Sequence, residues 1–338
     1  MSETEKTLGK KQKKLMLSIL FTMAGFFAAI LENLLVPQFA AGVDFEVYDL
    51  KIFGLDLNEA FRMILICLMA AYGLSGIFSF QNKIKAENYI KRAGFRFAVG
   101  IALGLWDYLG TKIKVLPQPF FPGPAEILTA FLNEGNYIFQ NTLYSLRLYA
   151  GGFVGGVLLG VSTGILIGWF PKVKYWVEPV LKITGVIPAV AWMPFALTLF
   201  PTPYSAAVFL IVICAWFPIA SLTKQGIEST PKFLFEAAEI LGSSTLYQVF
   251  HVAVPYAMPQ IFTGIFTANG FAFTTLVMAE MMGQPGGLGY YINASKVWSA
   301  YYKVFAAILV MAVLFSFITW LLNIVQRRVL RWQRGLIK

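Results

Sequence analysis

The amino-acid sequence predicts an all-α membrane protein of about eight transmembrane helices, and three observations carry that prediction. Of 338 residues 58% are hydrophobic and 13% charged, with a mean hydropathy of +0.67, so the chain lacks the polar residues to cover a soluble surface. Apolar runs long enough, or nearly so, to cross a bilayer of about 30 Å fall at roughly 15–36, 59–80, 95–110, 145–170, 180–200, 204–223, 257–282 and 304–326. Lysine and arginine sort onto alternate sides of these runs: five in 1–14, five in 81–96, three in 171–182 and five in 327–338, against one in 37–56 and two in 111–142. The positive-inside bias then places both termini in the cytoplasm. Lys296 and Lys303, in the outer loop 283–303, and the acid-rich loop 224–256 run against this trend without reversing it.

Taken in order, the basic tail Met1–Lys14 precedes a run too long for the apolar region of a signal peptide, with no small-residue cleavage site after it, so the first run is expected to remain as a span. Glu32 and the Glu59/Arg62 pair, at i,i+3, lie in the first two runs and read as groups that snorkel or satisfy one another. The third run is the shortest. In the fourth, Gly152, Gly156, Gly160, Gly164 and Gly168 put a glycine at each fourth position, which predicts a helix face open to close packing by another helix, in this chain or in a second copy. Pro188 and Pro194 in the fifth run and Pro218 in the sixth each remove a backbone hydrogen bond and predict breaks or kinks.

Between the sixth and seventh runs lies a polar stretch that reads as a helical hairpin. Thr230 followed by Pro231 predicts a helix start, Gly242 its left-handed end, and Thr245 with Gln248 a capping box for a second segment that Pro255 closes. Phe233, Ala237, Ile240 and Leu241 recur at helical spacing, leaving Lys232, Glu236 and Glu239 on other faces. Such a helix can lay its apolar stripe in a groove of another protein while Glu236 forms charged hydrogen bonds beside it, or it can lie on the membrane surface or pack on its own bundle. After the seventh run, Gly283, Gly286, Gly287 and Gly289 around Pro285 predict a tightly turned or re-entrant loop.

Several functions are excluded by what these residues lack. The +10 net charge is divided among short inter-span clusters rather than gathered in a nucleic-acid patch. Cys67 and Cys214 lie in apolar runs with no second thiol nearby, and the lone His251 suits packing or an interface better than a metal. Gly160-Val161-Ser162-Thr163-Gly164 lacks the lysine of a P-loop. No cluster of His, Asp or Glu suggests an enzyme. The alternative of a secondary transporter or channel calls for midplane carboxylates and an internal repeat, and neither is visible.

The run Glu236-Ala237-Ala238, three residues, Gly242, nine residues, then Val252-x-Val254-Pro255 has the spacing of the cytoplasmic loop of bacterial ABC importer permeases, with valines where that family usually has Ile and Leu. Together with Leu116-Pro117-x-Pro119, the glycine-rich span, and Ala279-Glu280 followed by Gly287-Leu288-Gly289-Tyr290, it resembles the nitrate/sulfonate/taurine/bicarbonate class over about residues 95–335. That resemblance implies a type I permease core of six helices over 86–338, with a coupling loop at 224–256, and leaves a segment 1–85 comprising the tail and two accessory helices, read as extra anchors or as helices that dock laterally on the core or contact a partner. It implies ATPase coupling through Phe233, Glu236, Ala237, Ala238, Glu239, Gly242 and Pro255. It also implies no cofactor in this chain, ATP and Mg being bound by a partner ATPase. The assembly implied is two copies of the permease, two ATPase subunits and an extracytoplasmic substrate-binding protein, in the bacterial inner membrane. The core runs 180–223 and 257–282 hold only Lys182 and Glu280 as ionisable groups. Trp192, Thr198, Asn269, Thr274 and Glu280 are therefore the candidate pore or substrate-path residues, a lining suited to a small polar or anionic solute.

Overall fold

A computed structural model describes residues 3–37, 55–115, 117 and 119–332, with side chains described from residue 12 onward. Leu116 of the outer-loop motif, most of the loop 37–56 and the last six residues of the basic tail lie outside these. Among the described residues every regular element is helical: α1 (Glu3–Leu35), α2 (Leu57–Ser79), α3 (Lys83–Lys91), α4 (Ala93–Asp107) with a π-helical turn Tyr108–Lys112, and α5 (Pro124–Trp169). Then follow α6 (Pro171–Val186), a 3-10 turn Ala189–Trp192, α7 (Met193–Leu199) and α8 (Pro203–Glu228). The chain ends with α9 (Lys232–Ile240), α10 (Thr245–Gln248) running through a π-helical turn Val249–Ala253 into α11 (Val254–Met281), α12 (Leu288–Val297) and α13 (Tyr301–Val329).

Among the described residues six helices are long and apolar enough to cross a membrane, and the bent pair α6 and α7 makes up to seven. The third apolar run lies on α4, which is only 15 residues long and is extended by its π-helical turn. One boundary differs from the sequence expectation. The fourth run is the second half of α5, a helix of 46 residues interrupted at Glu134, whose φ of −125° and ψ of 18° leave the helical region. The fifth run breaks where Pro188 predicted: α6 and α7 meet at 100°. Ile187 turns extended before Pro188, whose ψ of 133° begins the 3-10 turn. A residue preceding proline is pushed out of the α region, which accounts for the break. Pro194 sits in the first turn of α7, where its missing N–H has no helical partner to lose, and Pro218 lies inside α8 without ending it.

The chain folds as two compact units, residues 1–135 with 295–306, and 136–294 with 307–338. In the first, Phe26, Ala29, Phe61 and Leu65 form a core joined by Tyr72, Val99 and Leu103 from α2 and α4. Helices α1 and α4 touch through backbone, since a Cβ on Gly100 would stand 2.6 Å from Gly25 C and Phe26 N. Asp56 caps α2 in a reciprocal box with Glu59, and Glu59 also pairs with Arg62 at 3.5 Å. Glu32 does not snorkel: both its carboxylate oxygens are buried without a hydrogen-bond partner among the described residues, near the charges of Asp107 and Lys112. Lys112, buried at 1% exposure with its Nζ donating to Asn33 O at 3.0 Å, supplies an opposite charge that offsets the cost of the inward position.

The second unit is organised around α8, whose buried face runs from Ala206 to Ile227. The glycine stripe meets it in register: Cβ atoms at Gly152, Gly156, Gly160, Gly164 and Gly168 would collide with Ile211, Ala215, Ile219, Thr223 and Ile227 at 2.5–2.8 Å. Both rows advance by four residues, so the ridge of one helix fills a groove of bare backbone on the other. The neighbour left open by the sequence is thus α8 of the same chain.

Candidate functional site: the α9 hairpin and the bend before α7

The hairpin follows the sequence pattern with three corrections. Thr230 does not cap α9; its hydroxyl donates back to Gly226 O at 3.4 Å, which finishes α8, and Pro231 takes the cap position with Lys232 as the first helical residue. Ser244, not Thr245, caps α10, accepting from Tyr247 N at 3.4 Å, while Gln248 Nε2 donates to Ser243 Oγ at 3.2 Å. Pro255 closes nothing. It lies in the first turn of α11, and because it has no N–H for the carbonyl four residues earlier, the preceding turn widens to a π-helical one with Val254 N bonded to Val249 O.

Gly242 behaves as its position required. Its φ is +77°, and it closes α9 with Gly242 N donating to Glu239 O at 2.8 Å and Ser243 N to Ala238 O at 3.1 Å. Those two bonds are the Schellman pair, which satisfies carbonyls that the helix end would leave bare. No residue of α9 is buried. Phe233, Ile240 and Leu241 are exposed, the last two to 86% and 87%. Glu236, Ala237 and Glu239 are exposed with them, and Ala238 is half-buried.

Leu246, Tyr247 and Phe250 enlarge this apolar surface. Sequence reasoning missed them because α10 is too short to show a period, although their apolar character in a polar loop was a signal. His251 stacks on Tyr247, with ring centroids 4.1 Å apart. The exposed face stands on a fixed base. Phe235 meets Trp169 of α5 at 5.2 Å, Lys174 pairs with Glu228 at 2.7 Å, and Lys224 pairs with Glu178 at 2.7 Å.

The five path candidates are not brought together in one cluster. Trp192 lies in the turn at the 100° bend, and its indole nitrogen is buried with no hydrogen-bond partner. Thr198 and Thr274 are exposed, each bonded to the carbonyl four residues back on its own helix. Asn269 is buried at 1% exposure, where Tyr149 OH donates to its Oδ1 and its Nδ2 donates to Thr319 Oγ1, so that α5, α11 and α13 are tied at one point. Glu280 is likewise buried. Its Oε2 accepts from Gly289 N at 2.8 Å, and Ser145 also bonds the carboxyl. The same loop is held by Asn141 Oδ1 accepting from Gly287 N at 2.9 Å and by Ser145 Oγ accepting from Leu288 N at 2.8 Å. The glycine-rich segment is therefore a tight connection pinned to α5, with positive φ at Gly283 and Gly287.

Membrane-crossing helices are thus interrupted, between α8 and α11, by an exposed hairpin that bears Glu-Ala-Ala and a left-handed glycine. The chain belongs to the family described as binding-protein-dependent transport system inner membrane component, which matches residues 156–331. It is 30% identical over 237 residues to a putative aliphatic sulfonates transport permease protein of Bacillus subtilis, covering 70% of this chain and 86% of that one. A bicarbonate transport system permease protein of Synechococcus elongatus is 30% identical over 233 residues, 62% of this chain and 81% of its own length. A taurine transport system permease protein of Escherichia coli is 26% identical over 241 residues, 69% of this chain and 87% of its own.

Proposed function

We propose that this chain is the pore-forming permease of an ABC importer in the bacterial inner membrane, carrying a small polar or anionic solute delivered by an extracytoplasmic binding protein. ATP hydrolysis takes place in a separate subunit that binds ATP and Mg, and two permease copies meet two ATPase subunits. The observation that carries this reading is the α9 hairpin, a capped helix on a fixed base whose Phe233, Ile240 and Leu241 stay exposed. Apolar side chains on a polar loop suit an amphipathic helix seated in a partner's groove, with Glu236 as its charged anchor. The loop is then cytoplasmic, as are both termini, and residues 86–338 act as the functional core. Relatives named for sulfonate, taurine and bicarbonate transport support a small anion. Trp192, Thr198 and Thr274 are proposed to meet the solute, with Asn269 and Glu280 holding the helices and loop around its path.

Glu236→Lys and Gly242→Asp test the coupling role. Reversing the charge removes an acceptor and juxtaposes like charge on the partner, together worth about 3 kcal/mol, or roughly a hundredfold in ATPase affinity. Aspartate at φ +77° adds strain and a charge at the same surface. Both variants should reach the membrane at normal levels, fail to co-purify the ATPase and lose uptake. Normal uptake with stable ATPase association in both would overturn the assignment.

A further inference from the structure

The first compact unit holds a cavity that the transport reading leaves unused. It opens where the chain leaves α2, turns through α3 and enters α4; its volume is about 520 Å³, and its polar lining is Ser75, Ser79, Lys85, Asn88, Arg92 and Arg96. Three cations line it and no carboxylate does. None of the three is ion-paired among the described residues.

The cations are not equivalent. Arg96 is preorganised: its Nη1 donates to Tyr89 O at 3.2 Å, and its guanidinium lies 4.0 Å over the Tyr89 ring and 5.5 Å from that of Tyr72. Tyr89 is itself fixed, buried at 2% exposure with its hydroxyl donating to Tyr72 O. Lys85 and Arg92 are exposed and free to close on a ligand. A guanidinium held against aromatic rings has its remaining N–H groups in its own plane, a geometry that matches phosphate oxygens.

Apolar surface adjoins the cavity. Leu74, Ile77 and Phe78 on the last turns of α2, and Phe95 on α4, are exposed to between 54% and 73%. A free anion would use the cations but not this apolar skirt. The cavity sits at the end of a membrane-crossing helix, which is headgroup depth in whichever leaflet it faces. Basic pockets between helices at that depth suit anionic headgroups.

We propose that this cavity seats the phosphate headgroup of an anionic phospholipid, with Arg96, Arg92 and Lys85 on the phosphate oxygens, Ser79 and Asn88 adding hydrogen bonds, and the acyl chains lying along Leu74, Ile77 and Phe78. The extra N-terminal helices then hold a lipid as well as the membrane. Nothing in this depends on the ATPase reading.

The test is thermal unfolding of the full-length protein in detergent, titrated with phosphatidylglycerol, with phosphatidylcholine of the same chains, and with inorganic phosphate. Phosphatidylglycerol should raise Tm and the other two should not. K85Q/R92Q should shift the titration midpoint about thirtyfold, at roughly a kcal/mol for each cation removed. N88W, which fills the cavity from an exposed position and keeps every charge, should do the same. R327Q/R328Q, which removes equal charge from the last turn of α13, should leave the midpoint alone. An equal rise with inorganic phosphate would make this a free-anion site, and an equal rise with phosphatidylcholine would make binding a matter of acyl chains; either overturns the proposal. So does an unshifted midpoint in N88W, which alone decides should the double variant not fold, or an equal shift in R327Q/R328Q.

Discussion

A methyl group added at Gly287 would stand 2.3 Å from Glu280 Cδ, on a residue whose φ of 109° already disfavours any side chain. Gly287→Ala should therefore lower stability by on the order of 2–3 kcal/mol, through backbone strain and displacement of a buried carboxyl. Gly270 offers the contrast, because a Cβ there meets nothing within 4 Å. In the middle of α11, Gly270→Ala should be neutral or stabilising by up to about 1 kcal/mol. Thermal unfolding of the two variants side by side checks both, and similar melting temperatures would remove the clasp role from the Glu280 loop. From sequence, Glu280 and Asn269 read as candidate residues of the solute path. Whether such a group faces a pathway or a neighbouring helix depends on rotation about the helix axis, which a run of apolar residues does not encode.

At the scale of elements, the contact between α5 and α8 is the clearest case of a pattern whose meaning needed its partner. The four-residue glycine period was legible, and with it the prediction of close approach; the matching row Ile211, Ala215, Ile219, Thr223 and Ile227 also has a period of four but looks like any apolar helix face. Gly160→Leu should separate the two helices, since even a Cβ would come within 2.7 Å of Ile219 Cβ. We expect a fall of several degrees in Tm in detergent, and weaker assembly, with unchanged solute preference, because the stripe is covered by the chain's own helix. Intact stability with altered preference would move the stripe to the solute path. The hairpin shows the opposite balance. Gly242 as the left-handed end followed from local chemistry alone, whereas the starts of α9 and α10 shifted by one residue because Thr230 bonds back to α8 and Ser244 offers its hydroxyl first.

For the molecule as a whole, the compact division at residue 135 groups α4 with α1 and α2, while the resemblance implies a functional boundary near residue 85. A chain beginning near Lys85 should discriminate the roles of the two units. Removing α1 and α2 strips the Phe26 core and exposes the Gly100 and Gly104 face of α4, so thermal stability should drop. The α9 hairpin and its base lie wholly in the other unit. Co-purification of the ATPase should persist, and a truncated chain that inserts yet no longer holds the ATPase would make the N-terminal helices part of coupling.

Class, the helical character of the apolar runs with the break in the fifth, the glycine stripe and the capped hairpin were determined by the sequence itself, because each rests on composition, local period or the chemistry of a few adjacent residues. Tertiary structure alone decided the rest. It set the 100° angle between α6 and α7, the extension of α5 back to Pro124, and the partner of the glycine face. It also gathered Lys85, Arg92 and Arg96 around one cavity and turned Glu32 inward. Hydrophobic patterning says how much of a helix is apolar, but in a membrane nearly every face is, so the choice of neighbour falls to shape and to the few polar groups that must find one another.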